Sequence, residues 1–177
     1  MNKERKPIIL RLAILCLLPL LASQSGATVL RKPVSTSVVE YGIYEDRGQQ
    51  QKFTSPGSAA GTVSRASERI RFVNQTNEIP LKKGVMFGYK WRMQGLVPGK
   101  SFNVTYRIKH PPIVNSKGIP MDKSEGMIKV TPNRDFIEML NAYQLTKDNE
   151  LVPGTWTITT LLDEEIIAEM SFQVIVQ

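Results

Sequence analysis

GVMFGYKWRMQGLVPGKSFNVTYRIK, Gly84 to Lys109, decides how the chain is read. Val85, Phe87, Tyr89, Trp91 and Met93 occupy every second position, and Phe102, Val104, Tyr106 and Ile108 do the same after Pro98-Gly99. A period of two marks a strand with one buried face, and Pro-Gly is a strong turn signal. The stretch therefore predicts two strands joined as a hairpin. If Met93 lies opposite Phe102, then Trp91 falls opposite Val104, Tyr89 opposite Tyr106 and Phe87 opposite Ile108. Such aromatic and branched cross-strand pairs stabilise a sheet by about 0.2–1 kcal/mol each, and a slip of one residue would turn them all to water. The reverse face is polar, and its basic residues Lys90, Arg92, Arg107 and Lys109 form the candidate binding stripe. The same stripe also reads as an ordinary solvated face.

Working outward, Thr36–Tyr44 is rich in β-branched and aromatic residues and reads as a first strand. Glu45–Ala66, with Gln, Ser, Gly and Pro56-Gly57, has no apolar period and reads as a long flexible loop. Ser67–Gln75 alternates again, and Thr76–Lys83 is read as a polar connection. His110-Pro111-Pro112 is expected to end the second strand of the hairpin, because two prolines remove two ladder donors. Ser124–Thr131 is a further strand. Phe136–Leu145 fits a short helix or a strand, and its β-rich surroundings favour the strand. Thr155–Leu162 and Ile166–Val176 flank Asp163-Glu164-Glu165 as a second hairpin, with Trp156 and Phe172 on its buried face.

Each hairpin has one apolar face that only the other can cover. The expected fold class is therefore all-β: an antiparallel β-sandwich of about 7–8 strands, with Trp91 and Trp156 in one core.

The N-terminus has a different character. Lys3, Arg5, Lys6 and Arg11 precede the apolar run Leu12–Leu21, and the small residues Ala22, Ser23, Ser25, Gly26 and Ala27 follow. This is the layout of a secretory signal peptide, residues 1–27, with the mature chain starting near Thr28 or earlier, after Ala22. The apolar run is half the roughly 20 residues that span a bilayer, so no transmembrane anchor is expected after cleavage. Cys16, the only cysteine, lies in this run behind Leu15 rather than the small residue a lipoprotein needs. A mature chain of residues 28–177 would be one domain without cysteine, in the periplasm or secreted, holding together by burial alone. The chain carries 23 basic and 16 acidic residues; without the leader's four basic residues and one acidic residue, the balance is 19 to 15, or +4. That is an ordinary solubility charge, and nucleic acid is not an expected partner.

Several of these stretches carry a resemblance. Thr76-Asn77-Glu78-Ile79-Pro80, Gly84–Tyr89, Gly95–Gly99, His110-Pro111-Pro112, Glu150–Ile158 and Ala168–Val174 resemble, in order and spacing, a bacterial family catalogued as domain of unknown function 3859. The resemblance covers roughly Tyr41 to Val174. It implies an exported protein with an immunoglobulin-like β-sandwich, and it brings no activity, cofactor or catalytic residue.

The residues themselves offer little chemistry. His110 is the only histidine, short of the three or four His or Cys ligands of a zinc site, and no G-x-S-x-G elbow or phosphate-binding glycine loop occurs. No catalytic, metal or cofactor-binding residue is assigned. Asp163-Glu164-Glu165 does not match a calcium loop and reads as a charged hairpin tip. Glu40, Glu78, Asp122, Asp135 and Glu138 are scattered. Two functional readings remain. One is a non-enzymatic binding or structural module of the cell envelope, meeting an envelope protein or polymer. The alternative is a carboxylate-dependent hydrolase acting on such a polymer, which needs two acidic groups about 5–10 Å apart in one cleft.

Overall fold

In the computed structural model, the described residues are 34–54, 58, 62–65, 69–115 and 118–176. The leader and cleavage site expected within residues 1–27 lie outside them. The strands in chain order are β1 (Ser35–Asp46), β2 (Gln51–Thr54), β3 (Thr62–Arg65), β4 (Ile70–Asn74), β5 (Glu78–Pro80), β6 (Met86–Gln94), β7 (Phe102–Val114), β8 (Pro120–Val130), β9 (Phe136–Gln144), β10 (Gly154–Leu162) and β11 (Glu165–Ile175). One sheet has the order β4-β1-β6-β9, the other β5-β11-β10-β7-β8, and β2 pairs only with β3. The expected all-β sandwich is present, with nine strands in its two sheets.

The opening hairpin is not. β6 pairs with β1 and β9, whereas β7 pairs with β8 and β10 in the opposite sheet. Alternation fixes which side chains are buried; it does not fix the neighbouring strand. The connection itself carried the better clue. It runs over residues 95–101, longer than a tight hairpin loop. The backbone N–H of Leu96 donates to the Asp135 carbonyl at 2.9 Å and that of Gly99 to the Pro132 carbonyl at 2.7 Å. These bonds tie the turn to the approach of β9, so the chain arches between sheets. Trp91 and Val104 still share the core, but from opposite walls.

The second hairpin is as expected. Asp163 and Glu164 both have positive φ, 48° and 68°, as a two-residue turn matching strand twist requires. Trp156 then pairs with Phe172.

Three further expectations are corrected. His110-Pro111-Pro112 does not end β7, which continues to Val114 through a register shift between Lys109 and Ile113. The β10 ladder stops at Lys109, so the prolines' missing donors fall where pairing has already lapsed. The connection Thr76–Lys83 contains β5, which lies parallel to β11 and buries Ile79 fully. Glu45–Ala66 is not all loop: β1 runs to Asp46, β2 and β3 form a small ladder, and Gln50 bonds Gln144 of β9 at 3.1 Å. Phe136–Leu145 resolves as strand β9, which places Ile137, Met139 and Tyr143 against the core.

The core is aromatic. Phe87 meets Phe172 and Trp156 edge-on, with ring centroids 5.4 and 5.8 Å apart, and Tyr143 lies 4.8 Å from Trp156. Such pairs are each worth about 0.5–1.5 kcal/mol beyond burial. A polar chain crosses between the walls beside them. Asn141 Nδ2 of β9 donates to Thr160 Oγ1 of β10 at 2.5 Å; Thr160 Oγ1 and Tyr89 Oη of β6 are 2.7 Å apart; and Tyr89 Oη donates to the Ala168 carbonyl of β11 at 3.0 Å. Burial raises the Tyr89 pKa, against the hydrogen bonds from Thr160 and Asn141, and keeps the hydroxyl a donor.

Tyr89→Phe would leave the Ala168 carbonyl without its side-chain donor and the Thr160 hydroxyl without its acceptor, at a cost of about 1–3 kcal/mol. Urea unfolding of Tyr89→Phe, Thr160→Val and the double variant should show strong non-additivity, because both changes delete the same bond. Additive losses would remove the chain's role in joining the sheets.

Candidate functional site

The predicted basic stripe divides between the two outer faces of the sandwich. Lys90 and Arg92 lie on the β6 side; Arg107 and Lys109 lie on β7 in the other sheet. Three of the four are matched by a carboxylate directly across the ladder. Lys90 Nζ is 2.6 Å from Glu40 of β1. Arg92 donates from Nε and Nη2 to Glu138 Oε1 of β9 at 2.9 and 2.6 Å. Arg107 Nε donates to Glu125 Oε2 of β8 at 2.7 Å. Surface pairs, here half-buried, contribute roughly 0–1 kcal/mol, and they cancel the charge a partner would meet.

Lys109 differs. Its cross-strand partner is Lys123, both side chains are exposed, and among the described residues neither has an ion pair. Like charges directly opposite are unfavourable. Thr157 of β10 continues the row beyond Lys109, with its hydroxyl 2.9 Å from that of Ser171. Lys123 was not legible as a site residue because β8 was not recognised as the neighbour of β7.

Among the described residues, the clefts on the faces include two shallow ones. One, of about 220 Å³, is lined by Arg92, Gln94, Gly95, Asp135 and Phe136. The guanidinium groups of Arg92 and Arg134 lie 5.7 and 5.8 Å from the Phe136 ring centroid, within cation–π range. The other, of about 410 Å³, is lined by Thr105, Arg107, Glu125, Leu161 and Glu164. Two carboxylates, Glu125 and Glu164, line it, and Arg107 already neutralises Glu125. Glu40 and Glu138 are likewise paired with bases. Asp163 and Glu164 form the β10–β11 turn with Glu165 paired at the start of β11, and no group of three or more potential metal ligands clusters among the described residues.

His110 sits inside the fold, its ring 5.0 Å from Trp156. Its Nδ1 lies 2.9 Å from the Pro111 carbonyl, which can only accept, so Nδ1 carries the proton. Nε2 then faces the Ser124 hydroxyl at 3.4 Å. A serine beside a histidine is how a nucleophile and its base would stand, but both are buried and a backbone carbonyl replaces the orienting carboxylate.

Glu150, which sequence reading passed over, is fully buried. Its Oε2 accepts the N–H groups of Thr146 and Lys147 at 2.6 and 2.9 Å and the Thr146 hydroxyl at 3.1 Å. It staples the turn that leads from β9 to β10. Burial, and next the Glu150 carboxylate, push the Tyr143 pKa far up.

Burial lowers the His110 pKa, opposed by the Pro111 carbonyl and by the Asp122 and Glu150 carboxylates. With the folded value below the unfolded one, the unfolded chain binds the proton first. Stability should be full above about pH 6.5 and fall as pH drops from there through the folded value, by at most about 1.4 kcal/mol per pH unit for one proton. Urea unfolding between pH 7.5 and 5.5 should show this slope, and His110→Gln should flatten it. An equal slope in the variant would assign the effect to other groups.

No curated protein matches the chain. An alkylpurine DNA glycosylase from Pseudomonas fluorescens, solved bound to DNA, is 13% identical with a TM-score of 0.38, over 55% of this chain and 27% of its own. That likeness is too slight to carry an argument. A crystallised immunoglobulin-like protein from Pseudomonas aeruginosa is 26% identical with a TM-score of 0.59, and the match covers 82% of this chain and 99% of that one. The sandwich is thus immunoglobulin-like. Residues 32–174 match the family described as Domain of unknown function (DUF3859), and the chain belongs to that family.

Proposed function

We propose that this chain is a non-enzymatic, exported binding module that meets an anionic envelope polymer or an acidic envelope protein on the outer face of its five-stranded sheet. The observation that carries the reading is the Lys109–Lys123 pair: two exposed ammonium groups set directly opposite one another, with no ion pair among the described residues. A fold gains nothing from that juxtaposition, and an anion laid across both would relieve it. Thr157 and Ser171 extend the same face with hydroxyls, while Arg107, Lys90 and Arg92 are occupied by Glu125, Glu40 and Glu138. Export is supported by the leader-like composition of residues 1–27. Periplasmic or secreted, the protein would work without a cofactor. The hydrolase alternative has its best-placed acids in Glu125 and Glu164.

Crosslinking in the native envelope, followed by capture and identification, tests the reading. The wild-type chain should be found without its leader and crosslinked to a specific partner. Lys109→Glu with Lys123→Glu should reduce that capture at least about tenfold, whereas Lys90→Glu should leave it near wild type. Capture that survives the double reversal would remove this face, and an intact leader on the captured protein would remove export. Substrate turnover lost in Glu125→Gln with Glu164→Gln would favour the hydrolase instead.

A further inference from the structure

The five-stranded sheet ends on β8, an eleven-residue strand hydrogen-bonded to β7 on one side only among the described residues. Long edges are a liability that folds usually blunt with charged side chains, proline, a bulge or a covering segment, and β8 carries Lys123, Glu125 and Lys129 on its outer side. Here Pro120 occupies only the first position. From Ser124 to Val130 the side chains paired with the inward-facing Ile108, Tyr106, Val104 and Phe102 are Ser124, Gly126, Ile128 and Val130, none of them charged. Tyr106 lies across Gly126, where a Cβ would stand 2.1 Å from its hydroxyl, and so braces the strand from within. Met127 on the outer side is 65% exposed and Ile128 is 38% exposed.

The segment Glu125-Gly126-Met127-Ile128-Lys129 is complementary to itself when run antiparallel about Met127. Directly opposed residues share a face, so Glu125 would meet Lys129 of the other copy, Gly126 would meet Ile128, and Met127 would meet Met127. A register centred on Ile128 would leave Glu125 opposite Thr131 and Lys129 opposite Met127, with no charge pair, and two others oppose like charges. Centring on Glu125 sets that carboxylate against its own copy, and centring on Gly126 sets Lys123 against Lys129. Arg107 holds Glu125 through Oε2, and a carboxylate can accept a second donor.

We propose that β8 pairs with β8 of a second copy in this register, giving an isologous dimer in which the two five-stranded sheets become one continuous sheet. The Lys109–Lys123 patches of both copies would then share one outer face. The dimer does not depend on those lysines binding anything, so the envelope-capture and dimerisation tests fail separately.

Sedimentation equilibrium of the purified protein should show a concentration-dependent monomer–dimer equilibrium. Glu125→Lys and Lys129→Glu, each of which spoils two symmetry-related pairs, should weaken the dimer about tenfold or more, and the double charge swap should restore it. Circular dichroism should show all three variants folded. Independently, Met127→Cys should oxidise rapidly to a disulfide-linked dimer, because directly opposed Cα atoms lie within disulfide range, whereas Val73→Cys on the far edge of the other sheet should not. A wild-type monomer at all concentrations, or a dimer indifferent to the single reversals, would overturn the proposal.

Discussion

Everything in this molecule depends on how its two sheets are joined through the core. Neither wall can stand alone, because each has one face of large apolar side chains. Phe87, Tyr89, Trp91 and Met93 line one wall; Val104, Ile108, Trp156, Ile158 and Phe172 line the other. Hydrophobic burial drives the two together but is non-directional. The Asn141–Thr160–Tyr89–Ala168 chain adds direction, since its donors and acceptors come from β9, β10, β6 and β11 and are met in only one alignment of the walls. Glu150 serves a similar end at the β9–β10 turn, where a buried carboxylate satisfies backbone donors that would otherwise be orphaned.

Burial was legible in the sequence to a useful degree. The residues spaced by two in β6, β7, β10 and β11 are those that line the core, and both indoles are inside it. Partnership was much less legible. Period two assigns a side chain to a face and says nothing of which strand lies beside it. The Asp163-Glu164 turn closes a true hairpin because two residues with positive φ leave no alternative. The connection through Pro98-Gly99 is long enough to arch to the other sheet, and its backbone donors are met by residues just before β9. The same limit hid β5, whose three residues pair in parallel with the distant β11.

The error in partnership carried over to the surface. A hairpin would have put Lys90, Arg92, Arg107 and Lys109 on one side; the arch puts two on each outer face. The residue that matters beside Lys109 is Lys123, which is visible only once β8 is known to flank β7. Across the ladders, Glu40, Glu125 and Glu138 each answer a basic residue. The opposed Lys109 and Lys123 and the exposed Met127 lie on the β8 side of the five-stranded sheet. Among the described residues, the clefts on its faces include two shallow ones.

The central claim is that β6 and β7 belong to opposite walls although they are adjacent in sequence. Backbone NOEs in an isotope-labelled sample read strand neighbours directly. The account requires cross-strand contacts between Tyr89 and both Tyr41 and Asn141, and between Tyr106 and both Gly126 and Thr160. A backbone contact between Tyr89 and Tyr106, with those four missing, would contradict it.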